Sequence, residues 1–303
     1  MIDRRRMLAV ATGFAVLVAA GPAGSQESAP AKLKVLATFS ILGDFVRNVG
    51  GDRVEVATLV GPNSDAHVYA PAPADAKKVA DAALVITNGL GFEGWMGRLI
   101  KASGSNAPVL IATKGIKERR ATDSHGHGGA DPHAWQSVAN AKVYVANIRD
   151  ALIAADPAGK TAYEANAAAY LAKVDALDNE VRAAVAAIPA DRRKVISTHD
   201  AFGYFQQTYG IEFIAPQGVS TESEPSARDV ARIITQVKKQ KIPAVFLENI
   251  ADTRLMERIA QETGARIGGK LYSDALTGDP GDATSYIDLI RHNMKQLTLA
   301  LTS

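Results

Sequence analysis

Six histidines are the residues of this chain best suited to bind an ion, because the sequence contains no cysteine. Without thiolates, a site for a transition metal must use imidazole nitrogen and carboxylate oxygen. His67, His133, His199 and Asp274 each follow an apolar segment that predicts a strand, either at its end or after the loop behind it. Three imidazoles and one carboxylate are a suitable ligand set for a divalent ion of intermediate softness such as Zn²⁺.

Each of these residues also has an ordinary explanation when it is taken alone. A single histidine at a strand end is more commonly a surface or hydrogen-bonded residue than a ligand, and Asp274 is placed to cap a helix. However, open α/β sheets bind ligands at the carboxyl ends of their strands, where all four residues fall. This common position favours one metal site, with two ligands from each half of the chain.

The remaining histidines and one glutamate are weaker candidates. His125 and His127 lie in a glycine-rich loop, which is typical of transient metal capture or of a plain connection. His292 lies in a predicted helix and is interpreted as an ordinary residue of its face. Glu248 ends a predicted strand and is interpreted as an acceptor that orients a histidine, although a fifth ligand or a helix-start carboxylate fits the same position.

The elements that must position these residues alternate between strand and helix. The predicted strands are 33–40, 54–60, 83–88, 108–113, 194–198, 212–215, 244–248 and 266–272. Predicted helices between and after them include 41–49, 73–82, 92–102, 201–209, 226–240, 254–263 and 286–301. This alternation predicts an α/β fold with two Rossmann-like lobes and mostly parallel sheets.

A segment of different character joins the two halves. Residues 158–188 contain no proline or glycine after Gly159, and their apolar positions recur every three or four residues. These positions are Tyr163, Ala167, Tyr170, Val174, Leu177, Val181, Ala184 and Ile188. The pattern predicts one helix of roughly 46 Å, interpreted as a rigid backbone for both lobes rather than a dimerising coiled coil. The predicted domains are a signal peptide (1–25), an N-terminal lobe (26–155), a linker helix (156–190) and a C-terminal lobe (191–303).

The first 25 residues have the composition of a secretory signal. Arg4, Arg5 and Arg6 precede an uncharged apolar run that is too short to span a bilayer, and they also resemble a twin-arginine signal. Together with the missing cysteine, this segment predicts a periplasmic protein that is not a lipoprotein. Its three arginines and one aspartate reduce the 34 basic and 32 acidic residues of the chain to 31 of each. A mature chain without net positive charge does not have the basic character typical of a nucleic-acid-binding protein.

Five motifs in order resemble the metal-binding solute receptors of ABC importers, the cluster A-I family that serves zinc and manganese uptake. They are residues 38–42 (TFSIL), 131–135 (DPHAW), 197–205 (STHDAFGYF), 218–225 (GVSTESEP) and 268–274 (GGKLYSD). The resemblance implies two α/β lobes joined by one long helix, with a metal between them held by His67, His133, His199 and Asp274. It also implies an ABC permease as partner. Ala66 departs from the family pattern, which often has proline before the first histidine.

The resemblance limits the bound metal to zinc or manganese but does not decide between them. The third ligand of such receptors is histidine in zinc receptors and often glutamate in manganese receptors, and here it is His199. Three nitrogens and one carboxylate favour Zn²⁺. Against this, residues 218–225 resemble the branch of the family whose members accept both ions, and a bidentate Asp274 would add an oxygen ligand for Mn²⁺. The prediction is a monomeric zinc receptor that is not an enzyme, with a metallochaperone as a candidate second partner.

Two alternatives come from other classes of protein. A zinc hydrolase would use Glu248 as general base, but a shell closed by four protein ligands leaves no position for the attacking water. A surface adhesin would need to be displayed outside the cell, and the absence of cysteine argues against a lipid anchor for that purpose.

Overall fold

Two four-stranded parallel sheets organise the chain from Lys32 onward, which forms one compact unit. The computed structural model describes residues 31–121 and 129–302. The predicted signal peptide (1–25) and the pair His125 and His127 therefore lie outside the described residues. The strands are β1 (Leu33–Phe39), β2 (Val54–Val60), β3 (Leu84–Thr87), β4 (Val109–Ile111), β5 (Lys194–Ile196), β6 (Glu212–Ile214), β7 (Ala244–Glu248) and β8 (Arg266–Leu271).

Helices follow most of the strands, as a fold with parallel sheets requires. In the described part of the chain they are α1 (Ser40–Gly50), α2 (Pro73–Asp81), α3 (Met96–Ser103), α4 (Val138–Ala155), α5 (Lys160–Ala186), α6 (Gly203–Tyr209), α7 (Ala227–Gln240), α8 (Arg254–Thr263) and α9 (Tyr286–Thr302). None of these described helices has both the length and the apolar composition needed to cross a bilayer. The sequence patterns did not assign α4.

The two sheets repeat one layout. The strand order is β2-β1-β3-β4 in the first sheet and β6-β5-β7-β8 in the second, and every pair is parallel. The inner strand β1 is buried from Val35 to Phe39, which explains its nearly continuous apolar sequence. Parallel strands bring all their carboxyl ends to one edge, so the loops after them lie close together. The predicted α/β class with two lobes is confirmed.

The long helix predicted between the halves is α5. Its 27 residues span about 40 Å, and it packs against α1 and α4 on one side of the chain and against α6 and α9 on the other. Seven of the eight predicted apolar positions are buried, but Val185 is buried in place of Ala184. The connecting helix is therefore confirmed, while the exact domain boundaries stay a prediction.

A continuous apolar core links the two sheets. The ring of Trp135 packs against Phe39 and Phe92, and its backbone carbonyl accepts a hydrogen bond of 2.7 Å from the hydroxyl of Tyr286 at the start of α9. Domains separated by a small polar interface move freely, whereas a large apolar interface opposes separation. This core therefore opposes large movements of the two lobes relative to each other.

Candidate metal centre

The structure brings together all four residues predicted for the metal site. One nitrogen or oxygen from each of His67, His133, His199 and Asp274 lies within 4.8 Å of the others. Nε2 of His133 lies 3.2 Å from Nε2 of His67 and 3.4 Å from Nε2 of His199. Oδ2 of Asp274 lies 3.2 Å from Nε2 of both His67 and His199. The four side chains converge because each follows the carboxyl end of a strand.

A carboxylate on its outer nitrogen orients His133. Oδ1 of Asp131 lies 2.8 Å from Nδ1 of His133 and accepts a 3.0 Å hydrogen bond from its backbone N–H. The other oxygen, Oδ2, accepts a 2.7 Å hydrogen bond from Arg119. Because an ionised carboxylate only accepts, the proton of neutral His133 belongs on Nδ1. Its Nε2 lone pair therefore points towards the other three residues of the site.

Glu248 holds His199 in the same way. Its Oε2 lies 2.6 Å from Nδ1 of His199, and its Oε1 accepts hydrogen bonds from the backbone N–H groups of Thr198 and His199. Glu248 is almost completely buried, at 1% exposure. The interpretation of Glu248 as an acceptor that orients a histidine matches this geometry, which also leaves it no free oxygen for a ligand or general-base role.

His67 is held differently. Its backbone N–H donates to Oδ1 of Asp65 at 2.8 Å, but within residues 31–121 and 129–302 no carboxylate contacts its Nδ1. The ring instead packs edge-on against Phe92, with ring centres 4.7 Å apart. His67 is also the most exposed of the four residues, at 7%. Its orientation depends on the loop that carries it rather than on a carboxylate bound to Nδ1 of the imidazole.

Asp274 presents a buried carboxylate without a hydrogen-bond donor. Neither of its oxygens has a hydrogen-bond partner among the described residues, and the side chain is 0% exposed. The histidine nitrogens approach it at 3.2–3.6 Å without the alignment of a hydrogen bond. A bare buried carboxylate is costly unless a cation or proton balances its charge. These residues therefore fit a divalent cation.

Burial and neighbouring charge set the pKa values of the metal-free site. Burial lowers the pKa of His67. At His133 burial is outweighed by Asp274 and Asp131, which raise the pKa to about 9. Burial is also outweighed at His199, where Glu248 and Asp274 raise the pKa well above its usual value. Burial of Asp274 is outweighed by His199 and His133, which hold the pKa of Asp274 well below its usual range. A metal ion entering this site has to displace protons from imidazole.

The sequence patterns missed the partner of His133 but contained a hint of it. An aspartate stands two residues before each of two site histidines, as Asp65 before His67 and Asp131 before His133. Both aspartates accept the backbone N–H of their histidine. Only Asp131 also reaches the imidazole, a difference that comes from the path of each loop and is not visible in the spacing.

Comparison with known proteins identifies the family. The model of a family described as zinc-uptake complex component A, periplasmic, matches residues 35–300. The iron-binding protein YfeA of Yersinia pestis is 35% identical over 89% of this chain and 86% of its own length. The manganese-binding lipoprotein MntA of Halalkalibacterium halodurans is 33% identical over 94% and 95%. The periplasmic zinc-binding protein TroA of Treponema pallidum superposes with a TM-score of 0.84 at 29% identity, over 89% of this chain and 99% of TroA.

These relatives contradict one prediction, namely that the protein is not a lipoprotein. MntA and several streptococcal relatives carry the word lipoprotein in their names. The prediction rested on a single count, the absence of cysteine from this sequence. That count does not determine how a receptor of this group is held at a membrane, and the prediction is corrected on the evidence of the relatives. A periplasmic or extracellular placement agrees with both the family description and the names.

The match extends over almost the whole chain and includes both sheets and the connecting helix. It confirms the predicted class of function, because several relatives are named as substrate-binding components of metal ABC transporters. It also confirms that the protein is a receptor and not an enzyme, with the permease and ATPase of an importer as its working partners. The chain belongs to the family of zinc-uptake complex component A, the substrate-binding receptors of metal ABC importers.

Proposed function

We propose that this protein captures one Zn²⁺ ion with His67, His133, His199 and Asp274 and delivers it to an ABC permease. The bare, buried carboxylate of Asp274 among three imidazoles is the observation that carries the proposal. Zinc bonded to nitrogen at 2.0–2.1 Å in a tetrahedron separates its ligands by about 3.3 Å. The nitrogen separations of 3.2 and 3.4 Å around His133 agree with that value.

Manganese is the second candidate, and Asp274 favours it. Both oxygens of Asp274 are free of hydrogen bonds within the described residues, so the carboxylate is able to bind an ion through two atoms. Mn²⁺ prefers more oxygen ligands than zinc does. A receptor that accepts both ions is therefore the closest alternative. Three nitrogen ligands nonetheless favour zinc at equal geometry, following the order of affinities of divalent ions.

The proposed cycle is capture followed by handover. Neutral imidazoles and ionised Asp274 bind the ion, the permease docks on the receptor, and a small movement of the lobes weakens the site. A role for a metallochaperone in loading, and a monomeric state, remain predictions that accompany this proposal.

Competitive titration tests the proposal. Metal-free protein is titrated with Zn²⁺ and Mn²⁺ against a chelating indicator, beside the variants His199→Ala and His292→Ala. His292 is a matched control, because its Nε2 lies 3.0 Å from the backbone carbonyl of Lys270 and not at the metal centre. We expect one zinc ion per chain, bound more tightly than manganese, with affinity lost in His199→Ala and kept in His292→Ala.

Two outcomes would change the proposal. Manganese binding that equals or exceeds zinc binding would move the assignment to manganese import. Absence of stoichiometric binding of either ion would remove the metal site, and the family match would then describe the fold and the transport class alone.

A further inference from the structure

The loop that carries His67 reaches across the cleft to the other half of the chain. We define this segment, residues 61–67 between β2 and α2, as the His67 loop. Within it, Oδ1 of Asp65 accepts the backbone N–H of His67 at 2.8 Å. The other oxygen, Oδ2, accepts a 2.6 Å hydrogen bond from the hydroxyl of Thr221, which lies between β6 and α7. One carboxylate therefore ties a metal-site histidine to the opposite lobe.

Thr221 is in turn braced against the segment that carries His199. The backbone carbonyl of Thr221 accepts a 3.2 Å hydrogen bond from the side chain of Gln217. Gln217 forms a parallel β-bridge with His199, and the N–H of Asp200 donates to the carbonyl of Gly218 at 3.2 Å. The contacts run from His67 through Asp65, Thr221 and Gln217 to His199. Movement of the His67 loop away from the site thus requires the hydrogen bond between Asp65 and Thr221 to break.

A second tie of the same loop lies beside Asp274. The N–H of Asn63 donates to the carbonyl of Leu276 at 2.9 Å, and its side-chain oxygen accepts from Asn249 at 3.2 Å. The same Asn249 side chain also donates to the carbonyl of Ala275. The His67 loop is therefore joined to the C-terminal half at two residues, Asn63 and Asp65, even though it is partly exposed to solvent.

The His67 loop is the least firmly held part of the metal centre. His133 and His199 are fixed by buried carboxylates, whereas the Nδ1 of His67 has no such partner in the described residues. A surface hollow opens directly beside His67, lined also by Tyr69, Trp95, Arg98 and Glu222. Glu222 is adjacent to Thr221 in the chain, so the Thr221 segment borders this approach to the site.

We propose that Asp65 and Thr221 form a latch across the cleft that positions His67 and slows release of the bound metal. Asp65 acts as a positioning residue through the backbone of His67, and Thr221 holds Asp65 from the opposite lobe. The latch rests on the proposed function, since it concerns how long the captured ion stays bound. Breaking this one hydrogen bond releases Asp65 and the backbone of His67 from the opposite lobe, while the contacts of Asn63 and both sheets stay in place.

The test compares metal release from wild-type protein and from Thr221→Val, which removes the hydroxyl and keeps the shape of the side chain. Zinc-loaded protein is mixed rapidly with excess chelator, and the release rate is recorded. We expect Thr221→Val to release Zn²⁺ about tenfold faster, as loss of a hydrogen bond to a charged group implies. The association rate should change by less than about twofold, because the ligands themselves are intact. Thr221→Ser, which keeps the hydroxyl, should restore the wild-type rate.

A double-mutant cycle and a matched control separate the latch from a general structural effect. If Asp65 and Thr221 act together, adding Thr221→Val to Asp65→Ala should accelerate release little beyond Asp65→Ala alone. Thr235→Val is the control, because its hydroxyl donates only within α7, to the carbonyl of Ala231. Thermal unfolding of the metal-free variants should stay within about 2 °C of wild type, since one partly exposed hydrogen bond contributes little to global stability.

The possible failures are distinguishable. Wild-type release from Thr221→Val, or failure of Thr221→Ser to restore the slow rate, would overturn the latch and leave the metal receptor standing. A wild-type protein that binds neither Zn²⁺ nor Mn²⁺ would overturn the proposed function, and the latch with it.

Discussion

The metal centre holds its histidines by two different arrangements. His199 lies shortly after β5 and His133 lies on the long connection between β4 and α4. Both are completely buried, with the carboxylates of Glu248 and Asp131 on their outer nitrogens. His67 lies on a loop and is fixed through its backbone and through contacts with the opposite lobe. The difference suggests a division of labour. On the proposed function, the carboxylate-held pair would form a preorganised half of the site, and the His67 loop would admit and release the ion.

Removal of each histidine in turn tests this division most directly. We expect His133→Ala to weaken zinc binding by more than about 100-fold, since losing a ligand costs more than losing its outer partner. His67→Ala should weaken it about tenfold less, because part of the binding free energy of His67 is spent on ordering its loop. Chelator competition measures both dissociation constants. Equal losses in the two variants, or a larger loss for His67→Ala, would contradict the division.

Substitution of Glu248 or Asp131, the carboxylates that contact the outer histidine nitrogens, has the next largest expected effect on zinc affinity. Glu248→Gln keeps the size of the side chain, but an amide is able to turn its NH₂ group towards Nδ1 of His199 and disfavour the required tautomer. We expect a 10- to 100-fold loss of zinc affinity, a magnitude typical of outer-sphere partners. Asp131→Asn should behave alike at His133. Asp252→Asn is the control, because Asp252 pairs with Arg254 at the surface. Unchanged affinity in both test variants would mean that the carboxylates do not orient the ligands.

The pH dependence of zinc binding is a third test of the difference between His67 and the carboxylate-held histidines. Metal-free His133 has a pKa raised to about 9 and His199 one raised well above the usual value, whereas the pKa of His67 is lowered. At pH 7 the carboxylate-held pair therefore binds protons that zinc must displace, while His67 is already neutral. A raised pKa means that the proton competes at every pH below it. Zinc affinity should thus rise with pH, about tenfold per unit for each proton displaced, and the part of this rise that comes from His133 should end near pH 9.

Calorimetry counts these protons directly. Zinc titrations at pH 7 in buffers of different ionisation enthalpy, each a weak zinc ligand, give the number of protons released per ion bound. We expect about one to two, because three imidazoles this close cannot all carry a charge. A count of zero would show that His133 and His199 are both neutral before zinc binds. Protonation would then not distinguish these two histidines from His67.

The sequence predicted most elements that depend on local pattern, although not α4, and missed the hydrogen bonds between loops that are distant in the chain. Strand β7 was predicted with the bounds that the structure shows, because a short apolar run between turn signals is a local feature. The convergence of His67, His133, His199 and Asp274 followed from topology, since parallel strands share one carboxyl edge. The contact between Asp65 and Thr221 joins residues 156 positions apart in loops without periodicity, so no spacing rule reveals it.

The smallest expected effect concerns the two tryptophans of the chain, each of which donates to the backbone carbonyl directly before one residue of the metal centre. The indole N–H of Trp95 donates at 2.8 Å to the carbonyl of Ala66, directly before His67. That of Trp135 donates at 2.9 Å to the carbonyl of Ser273, directly before Asp274. The Ser273 carbonyl also accepts a 2.7 Å hydrogen bond from Gln136, whereas no second donor to the Ala66 carbonyl occurs among the described residues.

Substitution of each tryptophan by phenylalanine removes the N–H and keeps an aromatic ring. Trp95→Phe leaves the Ala66 carbonyl without a donor and loosens the His67 loop, so we expect a loss of zinc affinity of about fivefold, the effect of roughly 1 kcal/mol. Trp135→Phe leaves the bond from Gln136 in place and should change affinity less than about twofold, although its buried ring makes it the more destabilising change on heating. Zinc titration beside thermal unfolding separates the two quantities. If Trp135→Phe lost affinity and Trp95→Phe did not, the loosely held half of the site would be the one around Asp274, and the division drawn above would be reversed.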